Sequence, residues 1–516
     1  EFSEVGMCFP LDLGDDLRMA FGGEENAHWA SQWRRAELLQ SSDIAYKVSR
    51  DGESYGEGKK NRGWATLTGD HGSAFVAVRD FWQQYPKGYE LTQSGMNVQL
   101  WPSSCGESLV YHTPWRERPV YFSGQFGEPA AQAASRDEKT VQELIEARPT
   151  APLNLKSFAV NSAEDVRWVE EMVDKYAPDR PASHNDTGTN DGTGAGKTHE
   201  IWLRFAGDAI EDEAAEELAT AVQEPVIAPA DPHYMYRTAA TRKVYAGPDP
   251  RFEKVDAILD GVTERVAIEP MRLARAWGFW RFGYMCCSHS ASPGLAWFLH
   301  YHTDPENGLR FTGPYNNEAD DPCWGVWTQF LRTGKRRFFI AASNNSRAMG
   351  EVGICHAHPF RPEVVGLMHY HNAHQWTGGC SPSHTLNNSL FLHYYLTGDR
   401  RMREIALEAA DCAVRNQEIA GIISCRRGVL NREFSGPLNC VIEAYLDTWA
   451  ETYGDLAARS LKWFLRTQEK PGVWATSVYT RGARGDEAVV EGAYLPFNHG
   501  GSLFPIFYEG VPHFDG

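Results

Sequence analysis

Apolar positions recur with two different periods along this chain, and the change of period divides it. Ala74-Phe-Val-Ala-Val-Arg79 is a β-forming run, Met96-Asn-Val-Gln-Leu-Trp101 alternates apolar with polar before stopping at Pro102, and His199-Glu-Ile-Trp-Leu-Arg-Phe205 has the same strand pattern. Such runs predict a mainly antiparallel sheet before about residue 205. Residues 124–150 and 176–196, rich in Gly, Pro and polar groups, read as surface excursions from that sheet, with a short amphipathic helix over Ser162–Tyr176 between them. Ala209–Val222 is helical by composition and leads into Pro225, Pro229 and Pro232, which sets a domain boundary between about 225 and 250. Beyond it the segments lengthen to helical size: Phe252–Trp280, Pro322–Leu331, Asn387–Tyr395, Arg400–Gln417, Leu438–Tyr453 and Leu456–Gln468.

A weak repeat accompanies these helices. Phe330-Leu-Arg-Thr-Gly334 and Tyr395-Leu-Thr-Gly398 each join an aromatic helix end to a new helix, and Thr452-Tyr-Gly454-Asp is a fainter echo. Glycine suits the left-handed cap of the first helix of a pair. Helix pairs repeating roughly every 55 to 65 residues cannot bury their faces alone and must stack on neighbours, which predicts an α/α toroid or an arc of one.

The chain has 516 residues, 42% of them hydrophobic and 12% aromatic, enough for two or three domain cores. A formal charge of −18 with no basic run of five or more argues against a nucleic-acid partner. No apolar stretch approaches the roughly 20 residues of a membrane span, so no membrane partner is expected. The start Glu1-Phe2-Ser3 has neither an initiator Met nor the regions of a signal peptide, as in a processed or excised chain. Eight of the ten cysteines follow residue 280 without a Cys-x-x-Cys pair, so buried thiols are expected rather than a zinc ribbon or a disulfide framework.

Candidate chemistry concentrates in one place. Six of the 18 histidines fall within the 29 residues His356–His384: His356, His358, His369, His371, His374 and His384, with Asn372, Trp376 and Gly378-Gly379 among them. One histidine alone is usually a packing residue, but so many groups that titrate near neutrality suit proton transfer or a metal. The aromatics of Asp80-Phe-Trp-Gln-Gln-Tyr-Pro-Lys87 can form a sugar-stacking platform, although core packing is their commoner fate. Asp191-Gly-Thr-Gly-Ala-Gly196-Lys197-Thr198 ends like a phosphate-binding loop. It fails as one, because Asp191 stands where the first glycine belongs and a strand pattern follows where a helix should begin.

The runs Val78-Arg-Asp-Phe-Trp-Gln-Gln-Tyr-Pro-Lys87, Leu100-Trp-Pro102, Gly196-Lys-Thr-His-Glu-Ile-Trp202, Tyr315-Asn-Asn-Glu318, His369-x-His371-x-x-His374-x-Trp376, Ser383-His-Thr385 and Leu396-Thr-Gly-Asp399, in that order, resemble those of the YetA-like and exo-rhamnogalacturonan lyase group, polysaccharide lyase family 26. The resemblance implies a central β-sandwich, here over 1–235, followed by a C-terminal α/α toroid, here over 245–516. It also implies that the group's N-terminal β-barrel lies outside this chain.

It further implies β-elimination on an acidic, uronate-containing polysaccharide or oligosaccharide. Such a reaction must offset the uronate carboxylate, remove the proton at carbon 5 and protonate the oxygen leaving carbon 4. The expected catalytic set is His369, His371, His374, His384 and Tyr315. The expected substrate-binding set is Arg275, Arg281, Tyr284, Asn316, Asn317, Glu318, His356, His358, Asn372 and Trp376, with no metal and no cofactor. Three rival readings stand beside it. A glycoside hydrolase would need two carboxyl groups, available at Glu318, Asp320 and Asp321. A metal centre could use the histidines at 356, 358, 369, 371 and 374, although no cysteine or carboxylate at ligand spacing completes the set. A non-catalytic carbohydrate binder would use Trp82, Trp101 and Trp376.

Overall fold

The computed structural model describes residues 2–24, 28–106, 108–109, 192–239, 246–268, 277–285, 301–304, 308–311, 322–359, 362–369, 380–416 and 432–466, with short strands at 468–470, 473–474, 478–481 and 487–490. Eleven strands make two antiparallel sheets: β1 (Val5–Pro10), β2 (Arg18–Gly22), β3 (His28–Gln32), β4 (Arg35–Ser42), β5 (Ala45–Arg50), β6 (Glu53–Gly58), β7 (Trp64–Gly69), β8 (Gly72–Val78), β9 (Lys87–Thr92), β10 (Gly95–Trp101) and β11 (Ile201–Ala206). One sheet runs β1-β10-β9-β4-β5-β6 and the other β11-β8-β7-β2-β3. Alternation builds the layer between them: in β4, Ala36, Leu38, Gln40 and Ser42 are buried while the residues between them are partly exposed. Met19, Phe21, Leu38, Val48, Leu67, Val76, Tyr89, Leu91 and Val98 form the common core. At the β5–β6 turn Asp51 (φ 47°) and Gly52 (φ 88°) are both left-handed, the two-residue turn whose twist matches the strands.

Strand β8 is buried at every position because its second face is also covered. Helix α1 (Asp212–Gln223) lays Ala215, Ala219 and Val222 on Phe75, Ala77 and Trp64. Asp212 pins it to Arg18 at 2.9 and 2.5 Å. Helix α2 (Pro232–Thr238), after the proline-rich connection, sends Met235 into the helical half instead.

That half continues with α3 (Glu253–Val262), α4 (Pro322–Thr333), α5 (Arg336–Arg347), α6 (Asn388–Thr397), α7 (Arg400–Arg415), α8 (Arg432–Thr448) and α9 (Glu451–Arg466). Two-stranded ribbons interrupt and follow them: β12 (Tyr301–Asp304) with β13 (Gly308–Phe311), β14 (Met368–His369) with β15 (Cys380–Ser381), β16 (Gln468–Lys470) with β17 (Val473–Trp474), and β18 (Val478–Arg481) with β19 (Glu487–Val490). Consecutive hairpins share cores. Leu392 of α6 packs on Trp327 and Phe338 of the α4–α5 pair, and Leu390, Ile405 and Cys440 join α6, α7 and α8. This is the stacked helical-hairpin arrangement of an α/α toroid beside a β-sandwich.

The structure corrects four details of the helical reading. Helix α3 passes at Thr263–Ile268 into a π-helix, and residues 277–280 are bend and turn, not helix. Helix α8 begins at Arg432 and accommodates Pro437, so the proline does not mark its start. Gly334 and Gly398 are left-handed caps (φ 66° and 76°), but in the third pair that role falls to Trp449 (φ 56°). Gly454 lies inside α9, where a Cβ would sit 2.7 Å from the Tyr445 ring, so close packing explains that glycine. Helix α5 is the new helix expected after Gly334, but no helical segment was read over its length, because its buried face includes Asn345 and Ser346. Ser346 Oγ accepts a hydrogen bond from the buried Trp327 indole at 2.9 Å, so polar residues occupy positions that an apolar period would need.

Candidate functional site

The histidine stretch hangs from a small sheet inside the helical domain. Ile354 bridges Met368, the Cys355 N–H donates to Leu367 O at 3.0 Å, the His369 N–H donates to Gly353 O at 2.8 Å, and His369 pairs across the ladder with Cys380. Alternation points Ile354 and Met368 into the helical core, and therefore turns Cys355 and His369 to the opposite side. His369 is 6% exposed, with its Nδ1 3.6 Å from Cys380 Sγ. His384 ends the turn Pro382–His384 and is wholly buried; the next residue, Thr385, accepts the Met368 N–H at 2.8 Å through Oγ1.

His356 is held on both sides: Nδ1 lies 2.7 Å from Glu408 Oε2 and Nε2 3.1 Å from the Glu351 carbonyl. Neither nitrogen is left for a metal. His358 is half-buried. Tyr284 is buried with Trp101, Phe279, Trp280 and Val352, and Arg281 is half-buried in the turn that begins at Gly278. Arg275, Tyr315, Asn316, Asn317, Glu318, His371, Asn372, His374 and Trp376 lie outside the described residues, as do Asp320 and Asp321.

The segment 192–200, which joins β11 of the sandwich, docks on this region. The His356 N–H donates to Gly194 O at 2.8 Å, and the Gly196 N–H donates to Glu351 O at 2.7 Å. Glu351 lies in the π-helix Ala348–Val352 that extends α5, a distortion frequent at functional sites. Its carboxylate accepts the Thr198 N–H at 2.9 Å and faces Arg347 Nε at 3.4 Å.

Lys197 follows, half-buried. Enclosure by protein drives its ammonium pKa down to about 8, Glu351 and Asp80 opposing the shift and Arg347 adding to it. Lys197 forms no ion pair among the described residues. His199 packs against the Phe279 ring at 5.3 Å, and neither of its buried nitrogens has a hydrogen-bond partner among the described residues. Burial, with Lys87, Lys197 and Arg347 nearby, holds its pKa well below the usual value, so the ring is neutral at pH 7. Lys87 itself is enclosed: its Nζ donates to Gln84 O at 2.8 Å and Leu100 O at 2.9 Å, and burial lowers its pKa.

A cavity of about 850 Å³ opens beside this junction, lined by helices α4 and α5, the α6–α7 turn, the connection Pro225–Ala230, and Arg79, Asp80, Glu200 and Arg347. His393 faces it, its Nε2 3.9 Å from Asp399 Oδ2; burial takes its pKa down to about 4. Lys197 and His199 were within the run Gly196–Trp202 already noted for its resemblance, yet neither entered the expected site. The signal was a lysine and a histidine two residues apart, masked by the similarity of the run to a failed phosphate loop. The aromatics nearby are structural: Trp101 and Phe81 are buried, and Trp82 carries Lys60 Nζ over its ring at 4.2 Å.

Two comparisons bear on this arrangement. Residues 18–105 match the sequence profile of the PcRGLX-like protein central beta sandwich domain, and residues 315–459 match that of the PcRGLX-like protein C-terminal alpha/alpha toroid domain. The uncharacterized protein YetA of Bacillus subtilis (strain 168) is 22% identical over 410 residues, which is 75% of this chain and 39% of YetA. The chain therefore spans well under half the length of that relative. No helix among the described residues is long and apolar enough to cross a membrane.

Proposed function

We propose, from the premise that this chain belongs to the YetA-like, rhamnogalacturonan lyase-related group through its PcRGLX-like sandwich and toroid, that it cleaves an acidic, rhamnogalacturonan-like polysaccharide by β-elimination. Lys197 carries this reading. Its ammonium is desolvated, without an ion-pair partner among the described residues, and stands where the sandwich meets the toroid. Such a cation is stabilised by an arriving carboxylate, and the same contact offsets the charge that otherwise forbids proton abstraction beside it.

In the reaction a base takes the proton from carbon 5 of the uronate, the carbon 4–oxygen bond breaks, a double bond forms between carbons 4 and 5, and the departing oxygen receives a proton. A histidine of the 371–384 group performs one of the proton transfers, since imidazole exchanges protons near pH 7. Lys197, with Arg281 or the Asn316-Asn317 pair, holds the carboxylate. The test is to digest rhamnogalacturonan-type polymer in water enriched in heavy oxygen and weigh the fragments. Elimination gives a new non-reducing end one water lighter and without the label; fragments that carry the label at the new reducing end overturn the proposal in favour of hydrolysis.

A further inference from the structure

We propose that Cys355, His369 and Cys380 form a binding site for one zinc-like divalent metal ion, which fastens together the two ends of the stretch that holds His371 and His374. The ligand atoms of these three residues all lie within 4.8 Å of one another. The separation of 3.6 Å between Cys380 Sγ and His369 Nδ1 matches the roughly 3.5 Å expected between sulfur and nitrogen on a tetrahedral zinc with bonds of about 2.3 and 2.0 Å. Three protein ligands leave one tetrahedral position for a fourth donor.

The backbone explains why the three meet. The hydrogen bonds from Cys355 to Leu367 and from His369 to Gly353 turn both side chains to the face away from Met368 and Ile354, and the β14–β15 pairing sets Cys380 opposite His369. The face is enclosed: Cys355 is buried, His369 is 6% exposed, and Gly194 crosses so closely that a Cβ there would lie 2.9 Å from Cys355 Sγ. Cys355 Sγ lies 3.3 and 3.5 Å from the carbonyl oxygens of Thr193 and Ala357.

Charge balance suits burial as well. Two thiols release two protons to the solvent, and the resulting thiolates cancel the two charges of the ion, so the centre is neutral, as a buried site requires. Thiolate with imidazole selects a soft or borderline ion such as Zn²⁺ over Mg²⁺ or Ca²⁺. His369 and Cys380 are 11 residues apart, so the ion closes the intervening segment from both ends. The role is positioning, independent of whether the chain proves to be a lyase.

The test is to strip the purified chain with a chelator, titrate it with Zn²⁺ while counting protons released, and replace zinc by Co²⁺ to look for thiolate-to-cobalt charge-transfer absorption. The expected result is about one zinc and about two protons per chain, with the cobalt band present in the parent and in Cys8→Ser, whose cysteine is exposed in β1. In the double variant Cys355→Ser/Cys380→Ser the band is lost and zinc retention falls at least about tenfold. A parent that takes up no zinc, a cobalt complex lacking the charge-transfer band, a double variant that binds as the parent does, or a disulfide found between Cys355 and Cys380 each overturns the proposal. The parent's cobalt spectrum decides even if the double variant does not fold.

Discussion

Arg347 Nη1 lies 2.7 Å from Glu200 Oε1, joining the last residue of a toroid helix to the segment that enters the sandwich's β11. Arg79, at the end of β8, takes the other carboxylate oxygen of Glu200 at 3.3 Å. Two cations thus share one anion between the domains, beside the cavity and one turn from Glu351. Replacing Arg347 by Met leaves Glu351 and half of Glu200 without their partner. Because the pair is part-exposed, the loss is expected to be about 1 to 3 kcal/mol of unfolding free energy, read as a lower urea midpoint at unchanged slope. A midpoint equal to the parent's contradicts the latch.

Lys197 links function to stability with opposite signs. Its folded pKa of about 8 lies below the ordinary 10.5, so between those values the unfolded chain binds more protons than the folded one. Stability contributed through this group therefore rises with pH across that window and is lowest, and flat, below it. Lys197→Met removes the penalty: the variant is expected to melt at a higher temperature than the parent at pH 7, with the difference shrinking toward pH 10, while turnover of acidic polymer falls by roughly 10² or more. A variant that is less stable at pH 7, or fully active, contradicts the role given to Lys197.

Much of the fold was legible because its signals are local. The alternation of Met96–Trp101 and the strand pattern before Phe205 correspond to β10 and β11, and the Thr-Gly caps at 334 and 398 mark two of the hairpin turns. What was not legible depends on contacts between distant segments. Helix α5 hides its amphipathic period because Ser346 and Asn345 are core residues with polar partners, and Gly454 imitates a cap while serving the Tyr445 contact. The candidate site is visible in the sequence as a concentration of histidines but not as an arrangement. Nothing in the spacing of Cys355, His369 and Cys380 announces that three ladder segments bring them together, and Lys197 acquires its low pKa only through burial in the folded chain.

Ser346 offers a direct check on that polar core. Ser346→Ala leaves the Trp327 indole N–H, fully buried, without its acceptor at 2.9 Å. The expected cost is about 1 to 3 kcal/mol, larger than for an exposed serine, by chemical denaturation. A cost near zero would mean that the indole finds another acceptor and that α5 does not depend on this bond.

His371→Ala and His374→Ala each remove an imidazole from the stretch between His369 and Cys380. At least one is expected to lose roughly 10² to 10⁴ in kcat while keeping the parent's melting temperature. If both retain near-normal turnover, the proton carrier lies elsewhere.

Ultraviolet absorbance of the purified chain incubated with rhamnogalacturonan-type and other acidic polysaccharides separates elimination from hydrolysis. Elimination creates a conjugated unsaturated uronate, so β-elimination by this chain requires absorbance that grows with time on at least one uronate-containing polymer, with the Lys197→Met chain slower by roughly 10² or more. Release of reducing ends without any growth in absorbance would contradict it.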